Sequence, residues 1–292
     1  MAFSGTITAL VTPFKEGKLD EQGLRENIWF QIEERVDALL VLGTTGEGAT
    51  LSNEEQKKVI QIAAQEKKVP VIVNVGDIST TRTIEKVKIA ETLGADGLLI
   101  IAPYYNRPSQ EGLALHFEKI ASETSLPIIL YNHPKRTGVD LSLELLIRLS
   151  KTKNIIGIKD ASGSVPYAAQ IRHKLPDFLL FAGDDLMSLP LLAIGASGLI
   201  SVLSNLMPHK VGEMVKNQDQ ALYDELFPFM DATQIETNPA PIKAMMELAK
   251  LPAGKPRLPL TSLTLEHQQV LKDLILNSPL FPTAVYEPIS PF

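Results

Sequence analysis

Lys159 ends the apolar run Asn154-Ile-Ile-Gly-Ile158. An amine whose stem lies against an apolar core has a lowered pKa, because burial disfavours the charged form. The neutral amine can then attack a ketone and form an imine. The alternative is a lysine that reaches outward or pairs with Asp160. Tyr131 ends a neighbouring apolar run. A phenol placed there could pass protons to and from the ketone oxygen, or it could be a core tyrosine with a satisfied hydroxyl. The loop Gly43-Thr44-Thr45-Gly46-Glu47-Gly48 offers backbone N–H groups and two hydroxyls. Such a loop before a helix suits a carboxylate, although a plain tight turn has the same composition. It lacks both the Lys-Ser/Thr of a phosphate-binding loop and the glycine spacing of a dinucleotide site. The fork of Arg136 suits a second carboxylate, or belongs to an ordinary surface arginine.

Two further observations limit the chemistry. Gly183-Asp184-Asp185 places two acids where many barrels hold a phosphate, which counts against a phosphosugar substrate. One of these acids reads as a helix N-cap. The five histidines, at 116, 133, 173, 209 and 267, have no paired i, i+4 spacing, so no metal is expected. There is no cysteine, which excludes thiolate catalysis and a disulfide framework and fits a reducing compartment.

The elements that must position these residues follow from the hydrophobic pattern. Short apolar runs predict strands at 5–12, 37–42, 69–75, 96–101, 127–131, 155–159, 178–182 and 198–202. Amphipathic stretches between them predict helices at 20–34, 53–66, 80–93, 110–124, 141–151, 164–174, 185–194 and 209–217. Several of the runs are apolar at nearly every position, as in strands buried on both faces of a parallel sheet. Eight such units predict a (β/α)8 TIM barrel, with a doubly wound open sheet as the alternative. In a barrel the residues above fall at the C-terminal strand ends, where such folds do chemistry. After about residue 222 the rhythm stops. The expectation is a barrel over 1–222 and a C-terminal helical domain over 223–292, ending in a Pro-rich tail from Pro279 to Phe292.

The 292 residues carry a net charge of -6 and no basic run, so no nucleic-acid partner is expected. No apolar run is long enough to span a bilayer, and no signal-peptide pattern opens the chain. A cytoplasmic protein is the expectation.

Taken together, Gly43-Thr-Thr-Gly-Glu47, Tyr104-Tyr-Asn-Arg-Pro-Ser-Gln-Glu-Gly112, Tyr131-Asn-x-Pro134, Arg136-Thr-Gly138 and Gly157-Ile-Lys-Asp160 resemble the dihydrodipicolinate synthase family. Gly183-Asp-Asp185, Gly198-Leu-Ile-Ser-Val202 and Asn238-Pro-Ala-Pro-Ile-Lys243 extend the likeness, which runs from about residue 4 to about 265. The resemblance implies condensation of pyruvate with L-aspartate 4-semialdehyde, in the diaminopimelate route to lysine, without a cofactor. By that likeness Lys159 forms the imine, and Thr44, Tyr131 and Tyr105 relay protons, Tyr105 reaching a neighbouring subunit. Thr45 holds the pyruvate carboxylate and Arg136 that of the semialdehyde. Ile200 lines the pyruvate pocket, with Gly183 near it. The assembly implied is a homotetramer of two tight dimers. Single motifs are shared with other pyruvate aldolases, so N-acetylneuraminate lyase and 2-keto-3-deoxy-sugar-acid aldolases remain the alternative. A catalytically silent paralogue acting as a scaffold is a further one.

Two departures stand out. His133 occupies a position where many relatives have a small apolar residue. Relatives inhibited by lysine bind it beside Ala49 and Tyr104, with an acid near position 82, an amide near 78 and ring or basic groups near 53 and 56. Here these positions hold Arg82, Ile78, Asn53 and Gln56. An arginine would repel the effector's ammonium groups, so weak or absent inhibition is expected.

Overall fold

The computed structural model describes residues 3–280, and the expected Pro-rich tail lies outside the described residues from 281 onward. All eight expected strands form: β1 (Gly5–Ala9), β2 (Ala38–Val41), β3 (Val71–Asn74), β4 (Gly97–Ile101), β5 (Ile128–Asn132), β6 (Ile155–Asp160), β7 (Leu179–Ala182) and β8 (Gly198–Ser201). They pair in parallel with their sequence neighbours. β8 returns to β1 with Ile7 opposite Ile200, so the sheet closes and the open-sheet alternative falls.

Eight helices surround the strands: α1 (Glu21–Glu33), α2 (Asn53–Glu66), α3 (Thr80–Thr92), α4 (Gln110–Ala121), α5 (Leu143–Leu149), α6 (Val165–Lys174), α7 (Ser188–Ala193) and α8 (Pro208–Asn217). Their starts are set by local chemistry. At α2, Ser52 Oγ accepts from the Glu55 N–H (3.2 Å) and Glu55 accepts from the Ser52 N–H (2.9 Å), so two otherwise unpaired donors are satisfied reciprocally.

Successive side chains on a strand point to opposite faces. Leu39 and Val41, Val71 and Val73, and Leu98 and Ile100 pack outward against the helices. Ala38 and Leu40, Ile72, Leu99, Ile129 and Tyr131 pack inward, with Ile7 and Ile200, in a separate core inside the barrel. Both faces are buried, which is why these runs show no polar alternation. On β6, Ile158 belongs to the outer core, so Lys159 points into the barrel. The β5–β6 register sets it opposite Tyr131.

Three short elements among the described residues were not predicted, one of them a 3-10 turn at Leu203–Asn205. A small hairpin, Phe14–Lys15 with Lys18–Leu19, turns at Glu16 and Gly17, both at positive φ (52° and 75°). A one-turn helix, Pro134–Thr137, follows β5; proline at its first position and Gly138 at φ 73° just past its end are the usual asymmetric stops.

We propose a division near residue 222, the part beyond it comprising most of α9 (Gln220–Ala232), then α10 (Ala240–Leu248) and α11 (Leu265–Leu276). This part is bound closely to the barrel. Asn27 Nδ2 donates to the Pro252 carbonyl (2.8 Å), and the Phe14 N–H to the Ala253 carbonyl (3.0 Å). Lys243 on α10 forms an ion pair of 2.5 Å with Glu47 in the loop after β2, each side chain 1% exposed. The Phe14 ring lies 4.1 Å from Lys243 Nζ, and the Arg257 N–H donates to Glu47 Oε2 (2.8 Å). Removing one member leaves the other charge buried and unpaired, which costs about 3–5 kcal/mol. Lys243→Met is expected to destabilise the protein by about that much in urea unfolding. Glu47→Gln combined with Lys243→Met should cost less than Lys243→Met alone. A single variant with an unchanged midpoint would show that the pair does not hold the two parts together.

Candidate active site

A cavity of about 620 Å³ opens at the C-terminal ends of the strands. The loop after β2 contributes Thr44 and Thr45, β5 contributes Tyr131, and the one-turn helix with its cap contributes His133 and Arg136. β6 contributes Lys159, and the loop after β7 contributes Gly183, Asp184 and Asp185. The segment from Thr233 to Asn238 walls the cavity from the C-terminal side.

Lys159 is 6% exposed. Burial pushes its pKa down to about 8, and the Arg136 charge acts in the same direction, while Asp185 and Asp184 oppose. A substantial fraction of the amine is therefore neutral near pH 8. Its Nζ lies 4.5 Å from the centre of the Tyr131 ring. Asp160 is not its partner: that carboxylate accepts from Asn132 Nδ2 (3.0 Å) and Ser162 Oγ (2.8 Å), and its pKa is raised by burial. Space around the lysine depends on Gly183. A Cβ there would sit 2.9 Å from the Asp160 carbonyl oxygen and 3.1 Å from Lys159 Cε.

Burial raises the Tyr131 pKa to about 12, against the opposing effects of the Arg136 charge and a hydrogen bond with Thr44. The phenol thus keeps its proton at neutral pH and can donate it, with the Thr44 hydroxyl next in line. Thr45 Oγ1 accepts from Asn238 Nδ2 (3.0 Å), which leaves the threonine O–H free to donate. The backbone N–H groups of Thr44 and Thr45 take no partner among the described residues. These donors belong to a loop that lines the same cavity as Lys159, and such a loop suits a carboxylate. Arg136 is exposed and lines the same cavity. The cavity therefore carries two features suited to an anion.

Six of the expected residues meet here: Thr44, Thr45, Tyr131, Arg136, Lys159 and Gly183. Ile200 is buried in the inner core, among the side chains that support the cavity floor. Tyr105 is not in this cavity; it is 88% exposed, with its backbone at φ 70°. Asp184 proves to be the N-cap, accepting from the Leu186 N–H (3.0 Å). Asp185, adjacent to it, is buried and accepts from Ser201 Oγ (2.5 Å) and from the N–H groups of Val202 and Leu203. Sequence reasoning gave no role to Glu47 or Asn238. Asn238 stands in a visible Pro-rich run, but nothing local ties it to a loop almost two hundred residues earlier.

Residues 2–278 match the model of the Dihydrodipicolinate synthetase family. The chain is 44% identical over 285 residues to 4-hydroxy-tetrahydrodipicolinate synthase of Syntrophus aciditrophicus, covering 94% of this chain and 98% of that one. The solved 4-hydroxy-tetrahydrodipicolinate synthase of Methylacidiphilum fumariolicum superposes with a TM-score of 0.93 at 40% identity, covering 96% of this chain and 97% of that one. A monomeric dihydrodipicolinate synthase variant superposes with a TM-score of 0.90 at 37% identity, covering 95% and 97%. The barrel, the buried lysine and this likeness along nearly its whole length agree: the chain belongs to the dihydrodipicolinate synthetase family.

Proposed function

We propose that this chain condenses pyruvate with L-aspartate 4-semialdehyde, as a 4-hydroxy-tetrahydrodipicolinate synthase. The observation that carries this reading is a buried amine of lowered pKa beside a protonated phenol, in a cavity that also presents the Thr44–Thr45 loop and Arg136, both suited to carboxylates. The pyruvate carboxylate rests on the Thr44 and Thr45 N–H groups and the Thr45 hydroxyl. Neutral Lys159 Nζ attacks the ketone carbon, and the Tyr131 phenol protonates the oxygen, which leaves as water. Loss of a methyl proton from the iminium gives an enamine. Its terminal carbon attacks the aldehyde of the semialdehyde, held through its carboxylate by Arg136, and the new alkoxide takes up a proton. The substrate's own amine then adds to the iminium carbon and expels Lys159, closing the ring and freeing the enzyme.

We further propose a homotetramer of two dimers in which Tyr105 completes a neighbour's proton relay; its exposure in the single chain supports this. Cytoplasmic placement belongs to the same proposal; among the described residues no helix is long and apolar enough to cross a membrane. Weak or absent inhibition by lysine is also proposed. Asp77 is shared by Arg82 (2.7 Å) and Lys86 (2.9 Å), so two cations meet one carboxylate beside Ala49 and Tyr104. The excess positive charge disfavours a cationic effector.

Incubation with pyruvate and reduction with borohydride should add mass to the peptide carrying Lys159 and to no other. The rate of adduct formation should rise with pH and level off above about 8, since only the neutral amine attacks. An adduct on Lys243 would remove the mechanism. Gly183→Ala should slow adduct formation by about a hundredfold, the scale expected when a reacting group is displaced by about 1 Å. An unaffected rate would mean that the added methyl is absorbed elsewhere. In steady-state assays with both substrates, millimolar lysine should leave the rate nearly unchanged; strong inhibition would reject the charge argument.

A further inference from the structure

We infer that His133 is a specificity-determining residue: its imidazole accepts a hydrogen bond from the α-amino group of the second substrate. This rests on the reaction proposed above. His133 caps the one-turn helix Pro134–Thr137 and lines the cavity. Its carbonyl accepts from the N–H groups of Arg136 (2.9 Å) and Thr137 (3.0 Å). This closes the turn and brings residues 133 and 136, three apart, onto one side of it. The ring is also held from below: it packs edge-on against Tyr131, with centroids 5.8 Å apart and planes at 63°. The imidazole is thus packed against the Tyr131 ring in the cavity that Arg136 also lines.

Its charge state follows from its neighbours. Burial pushes the His133 pKa down to about 4, and the charges of Arg136, Lys159 and Lys135 act in the same direction. At neutral pH the ring is uncharged, with one donor and one acceptor nitrogen. Nδ1 is buried and without a hydrogen-bond partner. In either tautomer one ring nitrogen keeps a lone pair that can accept a hydrogen bond.

The substrate carries its carboxylate and its amino group on one carbon. If Arg136 holds the carboxylate, the amino group lies within a few ångströms of the guanidinium and needs an acceptor there. Each carboxylate of the cavity already has at least one oxygen engaged within the protein. Asp184 Oδ1 accepts from the Leu186 N–H and Gln234 Nε2, both at 3.0 Å. Asp185 serves the end of β8. Glu236 Oε1 accepts from the Thr264 N–H (2.9 Å) and contacts His267 Nδ1 (2.7 Å). A neutral acceptor also suits the chemistry. A carboxylate would stabilise the ammonium and hold its proton, whereas ring closure needs the free amine; an imidazole orients the group with less of that effect.

The test compares His133→Val, which removes the acceptor, with His133→Gln, which restores one on a longer chain. Three quantities are measured: borohydride-trapped pyruvate adduct, kcat and KM for L-aspartate 4-semialdehyde at saturating pyruvate, and the inhibition constant of 4-oxobutanoate. The last has the same aldehyde and carboxylate but no amino group. In His133→Val the adduct should still form on Lys159, and KM for the semialdehyde should rise by about tenfold to a hundredfold, the range for a hydrogen bond to a charged group. The inhibition constant of 4-oxobutanoate should change by less than about twofold, since no bond to an amino group is lost. His133→Gln should recover part of the KM. Equal losses for substrate and inhibitor would show a ring that only shapes the pocket, and would overturn the inference. So would unchanged constants, loss of the adduct, or an amino-group penalty that appears in Asp184→Asn and not in His133→Val. If the unsubstituted chain traps pyruvate but does not turn over the semialdehyde, the proposed reaction fails before any variant is compared.

Discussion

A closed barrel of parallel strands allows a side chain only two directions, and this site depends on the inward one. Lys159 follows Ile158, whose side chain joins the outer core, so the lysine must enter the barrel and leave water. Its lowered pKa follows from that alternation, as does its position beside Tyr131 through the β5–β6 register. Burial produces opposite chemical roles for the two groups. It lowers the pKa of an amine and raises that of a phenol, so an amine that loses its proton more readily and a phenol that keeps one stand side by side from one cause.

Much of this was legible in the sequence. Runs such as VIVNV and GLLII have no polar alternation, and that pattern identifies strands covered on both faces before any pairing is known. The strand-end rule then located the Gly43–Gly48 loop, Tyr131, Arg136 and Lys159 on one rim. What stayed hidden was of two kinds. Short elements carry too few residues for a period to show: the hairpin at Phe14–Leu19 and the turn at Pro134–Thr137 are marked only by Gly17 and by the Pro134 and Gly138 stops. Contacts between distant segments have no local signature at all. The bond from Asn238 to Thr45 and the pair of Glu47 with Lys243 depend on where α10 docks.

The C-terminal segment therefore does more than cover one end. It supplies the amide that orients the Thr45 hydroxyl, it engages Asp184 through Gln234, and it places Glu236 at the cavity edge. The strands supply the reacting groups, and the helices after the barrel set the hydrogen-bond directions around them. A (β/α)8 unit ending at α8 would keep the lysine but lose the hydrogen bond from Asn238 to Thr45.

The pairing of Glu47 with Lys243 also constrains how this chain can change over generations. Neither charge tolerates solitude in that interior, so a lineage cannot drift through one replacement and wait for the other. The two positions are inherited as a single character, altered together or not at all. The loop after β2 is thus tethered to a helix almost two hundred residues later in the chain, and variation in one is answerable to the other.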